Sequence, residues 1–196
     1  MKRVLLDYDN TICNLSKGMF EKWNDLSEFN QYCKVELSDI VEYKLHHCLN
    51  RLGIDINKAI DLLNNFWNIE NIYQEYYYDM DCKNSIIKLL KKLRSEGYKV
   101  ELNTLCPSKE FMQSKIKRIS TDINLLEVID DLHISLFNGN PDTCKNFDYD
   151  IIIEDNPIYI EKYLKNNDLG IVYMPLWKYN KYLKGCDRIK ILEMEK

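Results

Sequence analysis

Two aspartates that directly follow an apolar run are the residues best suited to chemistry. Asp7 and Asp9 come after residues 4–6, an unbroken apolar run typical of a strand buried on both faces of a parallel sheet. Side chains two residues apart on an extended chain point to the same side, so both carboxylates face one small volume. Because such close carboxylates repel unless a cation lies between them, and because Mg²⁺ prefers one or two carboxylates plus phosphate oxygens, the pattern predicts a Mg²⁺ site. Thr11 can add a hydroxyl there, and the alternative interpretation is a plain Asp/Asn-rich turn.

Further polar groups follow two later strands. Thr104 comes after one predicted strand, Glu154 and Asp155 come after another, and Lys145 shortly precedes the second of these strands. Ligands of open α/β sheets bind beyond the carboxyl ends of the strands, so we expect all these groups at one edge of the sheet. Phosphoryl transfer uses such a set: a nucleophile, a metal and a cationic side chain that neutralise the phosphoryl oxygens, and an acid for the leaving oxygen.

The elements that must position these groups alternate after Gly97. Alternating strands and helices indicate an α/β fold with a central parallel sheet and right-handed, Rossmann-like crossovers. The predicted strands are 4–6, 99–103, 132–137, 150–154, 170–173 and 188–192, and the predicted helices are 108–120, 121–129 and 157–166.

A long helical segment separates the first strand from the second. About ninety residues with helical periodicity lie between them, which is too long for a plain crossover helix. We therefore expect a core domain of residues 1–13 and 81–196, with residues 14–80 as a helical cap inserted after the first strand. Within the insertion, the pattern predicts helices over 38–52 and 57–67.

Composition limits the class of protein. The chain has 196 residues, 45% of them hydrophobic, and a net charge of −4 from 27 basic and 31 acidic residues that are well mixed. A nucleic-acid-binding surface would normally be basic, so nucleic acid is not an expected partner. The apolar run after Met1 stops at Asp7, and there is no membrane-length apolar stretch, so a membrane partner is not expected either. Seven cysteines without a Cys-x-x-Cys pair indicate reduced thiols and a cytoplasmic location.

The motifs together resemble those of the haloacid dehalogenase (HAD) superfamily. Residues 7–11, Asp-Tyr-Asp-Asn-Thr, resemble its Asp-x-Asp-x-Thr motif, and Thr104 resembles its second motif. Lys145 is similar to the third motif, and the acid pair at 154–155 to the fourth. A helical insertion after the first motif resembles the family's C1 cap. Pro107 soon after Thr104 and residues 174–180 after a later strand are similar to features of the 5'(3')-deoxyribonucleotidase-like branch.

The resemblance implies a role for each matched residue. Asp7 would be the nucleophile and a Mg²⁺ ligand, and Asp9 the general acid and base, with its backbone carbonyl also on the metal. Thr104 and Lys145 would bind the phosphoryl group. Asp155 would complete the metal site, or Glu154 could do so instead.

Two points in the comparison with the family pattern leave alternatives open. Glu154 stands where many relatives carry Asp, so the residue that binds the metal is undecided between Glu154 and Asp155. The third-motif lysine is Lys145, or else Lys115 or Lys117 on the helix after Thr104.

The insertion is expected to supply the pocket for the leaving group. Aromatic faces stack on nucleobases, although aromatic residues at helical spacing are more often part of a core. We predict that Phe20 and Trp23 bind substrate, because they lie on the first cap helix just past the catalytic loop, and that Lys17 contacts phosphate. The other aromatic candidates are Tyr43, Phe66, Trp67 and Tyr73.

These observations favour a Mg²⁺-dependent phosphatase that acts on a small phosphorylated metabolite such as a nucleoside or deoxynucleoside 5'-monophosphate. One alternative is a protein of the same fold that binds or regulates without catalysis. Another is a phosphatase that processes nucleic-acid ends, against which the missing basic patch and the predicted cap argue. The sequence is also compatible with a homodimer.

Overall fold

A single six-stranded parallel sheet organises the described part of the chain. The structure is a computed structural model that describes residues 1–137 and 148–192. The strand order is β3-β2-β1-β4-β5-β6, and every neighbouring pair is parallel. The predicted α/β fold with a central parallel sheet is confirmed. The strands are β1 (Arg3–Leu6), β2 (Lys99–Cys106), β3 (Asp131–Leu136), β4 (Ile151–Ile153), β5 (Ile171–Pro175) and β6 (Ile189–Leu192).

β1 lies at the centre, where the strand order changes direction. Val4 is in register with Val100 of β2 on one side and with Ile151 of β4 on the other. The chain therefore places β2 and β4 on opposite sides of β1, and a crevice opens where their carboxyl ends meet. β2 is longer than predicted, because its pairing with β3 continues to Cys106, so Thr104 lies inside the strand and not after it.

Nine helices surround the sheet within the described residues. Five of them come from the segment between β1 and β2 that precedes Asp81. The helices are α1 (Leu15–Asp25), α2 (Ser27–Asn30), α3 (Leu45–Arg51), α4 (Ile56–Phe66), α5 (Ile72–Glu75), α6 (Lys83–Ser95), α7 (Lys109–Ile119), α8 (Ile123–Leu126) and α9 (Pro157–Asn166).

The prediction of one continuous helix over 38–52 is wrong. A 3-10 turn, Leu37–Asp39, closes on itself because the Glu36 backbone N–H donates to Asp39 Oδ2 at 2.8 Å. The backbone leaves the helical region at Ile40, and α3 begins only at Leu45. The predicted helix at 57–67 matches α4 to within one residue at each end.

The helical insertion, residues 14–80, contains α1–α5 and covers the carboxyl edge of the sheet. Its own core is aromatic: the ring centroid of Trp23 lies 5.0 Å from that of Phe29 and 5.8 Å from that of Phe66. Gly18 of α1 lies so close to the Tyr76 carbonyl oxygen that a Cβ would be 2.0 Å from it, which explains why this helix position has no side chain. The division into a core domain and a cap at residues 14 and 80 stays a prediction, since buried side chains form one continuous cluster across it.

None of the helices in residues 1–137 and 148–192 combines the length and the apolar character that crossing a bilayer requires.

Candidate active site

The loop after β1 holds the two N-terminal aspartates. The Asp7 backbone N–H donates to the Ile153 carbonyl at 2.9 Å, so Asp7 is still attached to the sheet. The chain then turns through Asn10, whose φ of 57° lies in the left-handed region that asparagine tolerates. Thr11 Oγ1 donates to Asp7 Oδ2 at 3.2 Å. The predicted hydroxyl therefore lies beside the first carboxylate.

Three buried carboxylates meet at this edge of the sheet. Oxygen atoms of Asp7, Glu154 and Asp155 all lie within 4.8 Å of one another. Glu154 Oε1 accepts from the backbone N–H groups of Asp155 (3.1 Å) and Asn156 (3.0 Å), and the Tyr179 hydroxyl donates to Asp155 Oδ2. Burial raises the pKa of Asp155 well above its usual range, and the negative charges of Glu154 and Asp7 raise it further.

This set of side chains fits a hard divalent cation. All three side chains offer oxygen atoms, which are the ligands that Mg²⁺ and similar ions prefer. Burial is the main cause of the raised pKa of Asp155, and the rest includes repulsion by Glu154 and Asp7, which a cation between the carboxylates would relieve. Glu154 and Asp155 both belong to the cluster, and the contribution of the Asp9 backbone carbonyl stays a prediction.

Lys115 brings a positive charge to the same place. Its side chain is fully buried on α7, and Nζ donates to Thr104 Oγ1 and to the Leu105 carbonyl at 2.8 Å each. A third hydrogen bond from Nζ reaches Asp9 Oδ2 at 2.5 Å. Burial lowers the pKa of Lys115, but Asp9, together with Cys106 and Asp7, raises it, and the net pKa lies above the usual range.

Of the two candidate lysines that the structure describes, Lys115 lies beside Asp9 and Thr104. It shares the buried face of α7 with Phe111 and Ile119, four residues away on either side. Lys117 is exposed on another face of the helix. Lys145 lies outside the described residues.

Both oxygen atoms of the Asp9 carboxylate accept hydrogen bonds. Oδ2 accepts from Lys115, and Oδ1 accepts from the Tyr73 hydroxyl at 2.5 Å. Burial raises the pKa of Asp9; Lys115 opposes that shift, Asp7 adds to it, and the net pKa lies above the usual range. Burial also raises the pKa of Tyr73 well above its ordinary value, so Tyr73 remains a hydrogen-bond donor.

A cavity of about 490 Å³ lies between the sheet edge and the helical insertion. Its floor contains the carboxylates and Thr104. Its walls are mostly apolar or aromatic, and they come both from the insertion and from the segments that follow the strands. The wall side chains that matter below are Leu15, Met19, Tyr43, Leu63, Trp67 and Phe111.

The three side chains predicted to bind substrate do not line this cavity. Trp23 follows Leu15 by eight residues, about 12 Å farther along α1, and its side chain is 1% exposed in the aromatic core of the insertion. Phe20 is also buried in that core, at 3% exposure. Lys17 Nζ lies 3.9 Å from the centroid of the Tyr78 ring. The cavity contacts of α1 are Leu15, Ser16 and Met19, so the structure contradicts the predicted place of these three side chains in the cavity. Tyr43 and Trp67 are the two other aromatic candidates that line it.

Two tyrosines lie at the site in positions that could not be predicted from the sequence. Tyr179 lies in the segment 174–180, stacks on Trp177 at 5.7 Å and contacts the Tyr43 ring edge-on at 5.7 Å. The family resemblance included this segment, but it did not predict where the Tyr179 hydroxyl lies. Tyr73 was one of several aromatic candidates, and no sequence signal linked it to Asp9.

Comparisons with known proteins show the fold. No family model matches the sequence, and no curated protein matches it. A haloacid dehalogenase-like hydrolase from Streptococcus pneumoniae has a TM-score of 0.62 at 14% identity, over 98% of this chain and 94% of its own. A haloacid dehalogenase-like hydrolase from Bacteroides fragilis has a TM-score of 0.59 at 12% identity, over 97% and 96%. A proposed phosphoglycolate phosphatase from Lactobacillus plantarum has a TM-score of 0.60 at 9% identity, over 97% and 95%. The chain therefore has the fold of these hydrolases over nearly its whole length.

Proposed function

We propose that the protein is a Mg²⁺-dependent phosphomonoester hydrolase that works through an aspartyl-phosphate intermediate. One observation carries the proposal: Asp7, Asp9, Thr104, Lys115 and the acid pair at 154–155 converge where β1, β2 and β4 end. Carboxylate, hydroxyl, ammonium and acidic metal ligands are the groups that phosphoryl transfer through a carboxylate nucleophile requires.

The first half of the reaction transfers the phosphoryl group to the enzyme. An Asp7 oxygen attacks the phosphorus, and the bond between phosphorus and the leaving oxygen breaks. Asp9, protonated in this half, gives its proton to the leaving oxygen, for which its raised pKa suits it. Lys115 and Thr104 donate hydrogen bonds to the phosphoryl oxygens as charge shifts onto them.

The second half releases phosphate. Asp9, now ionised, takes a proton from a water molecule, and the water oxygen attacks the phosphorus. The bond from phosphorus to the Asp7 oxygen breaks, which returns both aspartates to their starting states. A bound Mg²⁺, held by Asp7, Asp155 and Glu154, would neutralise the phosphoryl charge among these carboxylates.

We propose a nucleoside or deoxynucleoside 5'-monophosphate as the substrate class. A cavity of about 490 Å³ has room for a leaving group the size of a nucleoside. Its wall offers the Tyr43 and Trp67 rings, and aromatic faces stack on bases. The similarity of the sequence motifs to the 5'(3')-deoxyribonucleotidase-like branch supports the same choice. Action in the cytoplasm is in line with the six free thiols of the described residues.

A substrate panel tests the proposal. Purified protein with Mg²⁺ would be assayed against nucleoside monophosphates, sugar phosphates and a 5'-phosphorylated oligonucleotide, beside the variant Asp7→Asn. We expect release of phosphate from the monophosphates, and none from Asp7→Asn. Preferred hydrolysis of the oligonucleotide would indicate nucleic-acid end processing. No turnover of any ester by the wild type would indicate a binding or regulatory protein and would refute the proposal.

A further inference from the structure

Tyr73 connects the helical insertion directly to the Asp9 carboxylate. It belongs to the short helix α5, and its side chain is buried, with 2% of its surface exposed. Its ring packs edge-on against Phe111, with the centroids 5.0 Å apart, and its hydroxyl donates to Asp9 Oδ1 at 2.5 Å. A buried tyrosine needs a partner for its hydroxyl, but here the partner is the carboxylate that the mechanism uses for proton transfer.

The helix that carries Tyr73 is attached to the helix that carries Lys115. The Tyr73 backbone N–H donates to Ser114 Oγ at 3.0 Å, and Ser114 Oγ donates to Gln74 Oε1 at 2.7 Å. Gln74 Nε2 in turn donates to the Ser114 carbonyl at 2.9 Å. The donors to the two oxygens of Asp9 therefore come from elements bonded to each other next to the site.

This arrangement restricts how the carboxyl group of Asp9 can turn. With Oδ1 bonded to Tyr73, rotation about the bond to the carboxyl group would break a short hydrogen bond in a buried position. Oδ2 is then the oxygen available to the ester. Lys115 can release Oδ2 without losing all its acceptors, because Thr104 and the Leu105 carbonyl also accept from it.

We propose that Tyr73 is a positioning residue that holds Asp9 so that Oδ2 exchanges a proton with the leaving oxygen. This inference rests on the proposed phosphatase function and deepens it. The proton that moves in ester cleavage starts on Asp9 Oδ2 and ends on the leaving oxygen, while Tyr73 keeps its own proton. Tyr73 therefore acts through Asp9, and its effect depends on how much the leaving oxygen needs that proton.

The test compares two leaving groups in the variant Tyr73→Phe. The value of kcat/KM is suitable because it includes the steps up to departure of the leaving group and excludes the later hydrolysis of the aspartyl-phosphate. We expect kcat/KM for a nucleoside 5'-monophosphate, an alkyl ester with a poor leaving group, to fall about tenfold or more. For p-nitrophenyl phosphate, which needs little protonation, the loss should stay within about threefold.

Tyr76→Phe is the matched control. It removes a hydrogen bond from a tyrosine hydroxyl to a carboxylate in the same insertion, from Tyr76 to Asp25 at 2.7 Å, outside the cavity. Tyr76→Phe should leave kcat/KM for both substrates unchanged. Equal losses on both substrates in Tyr73→Phe, or no loss on either, would overturn the positioning role. A wild type that is inactive on every ester would refute the proposed function instead.

A second variant covers the case in which Tyr73→Phe does not fold. Gln74→Ala removes the two hydrogen bonds between the Gln74 side chain and Ser114 of α7, but it leaves the buried Tyr73 ring and the bond from the Tyr73 N–H to Ser114 Oγ in place. In this variant, too, kcat/KM should fall more for the substrate with the poor leaving group than for p-nitrophenyl phosphate, but the loss should be smaller than in Tyr73→Phe. A uniform loss in Gln74→Ala, or none, would then overturn the proposal.

Discussion

At the scale of single residues, the site depends on how charges compensate one another. Asp9 is near a like charge on Asp7, yet it is bonded to the ammonium of Lys115. Burial of Lys115 lowers its pKa, and Asp9 is the main neighbour that raises it again. The carboxylates of Asp7, Glu154 and Asp155 lie within 4.8 Å of one another, and a metal cation held between them would relieve their mutual repulsion.

Substitution of the three candidate lysines separates their roles. We expect Lys115→Met to lower kcat by about a hundredfold or more, because phosphoryl transfer then lacks the buried ammonium beside Asp9 and Thr104. Lys117→Met is the control on the same helix and should keep activity within about twofold, since that side chain is exposed. The measurement is steady-state hydrolysis with Mg²⁺, with circular dichroism as a check of folding.

The same series includes Lys145→Met. A folded Lys115→Met protein with normal activity, together with an inactive Lys145→Met protein, would contradict the assignment of the ammonium to Lys115. It would also restore the original third-motif prediction.

The residues that could be predicted from the sequence were those next to strands. Asp7, Thr104 and Asp155 follow from one rule, that polar groups near the carboxyl ends of neighbouring parallel strands meet. The sequence predicted that Lys115 lies on a helix but not that it faces the site, because tertiary packing decides which face of α7 is buried. Trp23 was misassigned for a similar reason: its identity suggests stacking, but its distance along α1 puts it in the core.

At the scale of elements, side chains at the other end of the strands connect β1, β2 and the start of β4. Glu101 Oε2 accepts from Arg3 Nη2 at 2.9 Å and from the Tyr149 hydroxyl at 2.9 Å. The Arg3 hydrogen bond holds the pKa of the nearly buried Glu101 at about 2, against an ordinary value of 4.5, although burial opposes the shift. These bonds hold the sheet at the edge opposite the candidate site.

The lowered pKa of Glu101 predicts a dependence of stability on pH. Since the unfolded chain takes up the proton first as the pH falls, this contribution is complete above pH 4.5 and is lost as the pH approaches 2. We expect Glu101→Gln to lower the free energy of unfolding at neutral pH by about 1–3 kcal/mol and to flatten its decline in acid. Urea unfolding at several pH values measures both effects.

The exposed Glu28 provides the control for this prediction. Glu28→Gln should have the same stability profile as the wild type, because Glu28 lies on the surface of α2. If Glu101→Gln declined in acid as steeply as the wild type, the Arg3–Glu101 pair would not be the source of the effect.

At the scale of the whole molecule, the helical insertion covers the edge of the sheet that carries the candidate site, and the cavity lies between them. The insertion contributes part of the cavity wall and, through Tyr73, a contact to Asp9. Its helices could be located roughly from periodicity. Their arrangement could not, because contacts such as that of Gly18 with the Tyr76 carbonyl join residues far apart in sequence.

A cation at the acid cluster should stabilise the whole fold. The Mg²⁺ ion that we propose for these carboxylates would have no such site in the unfolded chain, so we expect Tm to rise with Mg²⁺ concentration. Asp155→Asn removes one of the repelling charges, and the metal-free variant should be at least as stable as the wild type but should not respond to Mg²⁺. Asp168→Asn, an exposed change, should respond like the wild type. A full Mg²⁺ response in Asp155→Asn would show that the ion binds elsewhere.

Detection of the phosphorylated enzyme tests the central claim most directly. The protein would be mixed with substrate and Mg²⁺, quenched in acid during turnover, digested, and analysed by mass spectrometry for a phosphoryl group. The account predicts this group on the peptide that contains Asp7, on its side chain, and none in Asp7→Asn. Turnover by the wild type with the peptide of Asp7 unmodified, or with the phosphoryl group on a different residue, would contradict the account.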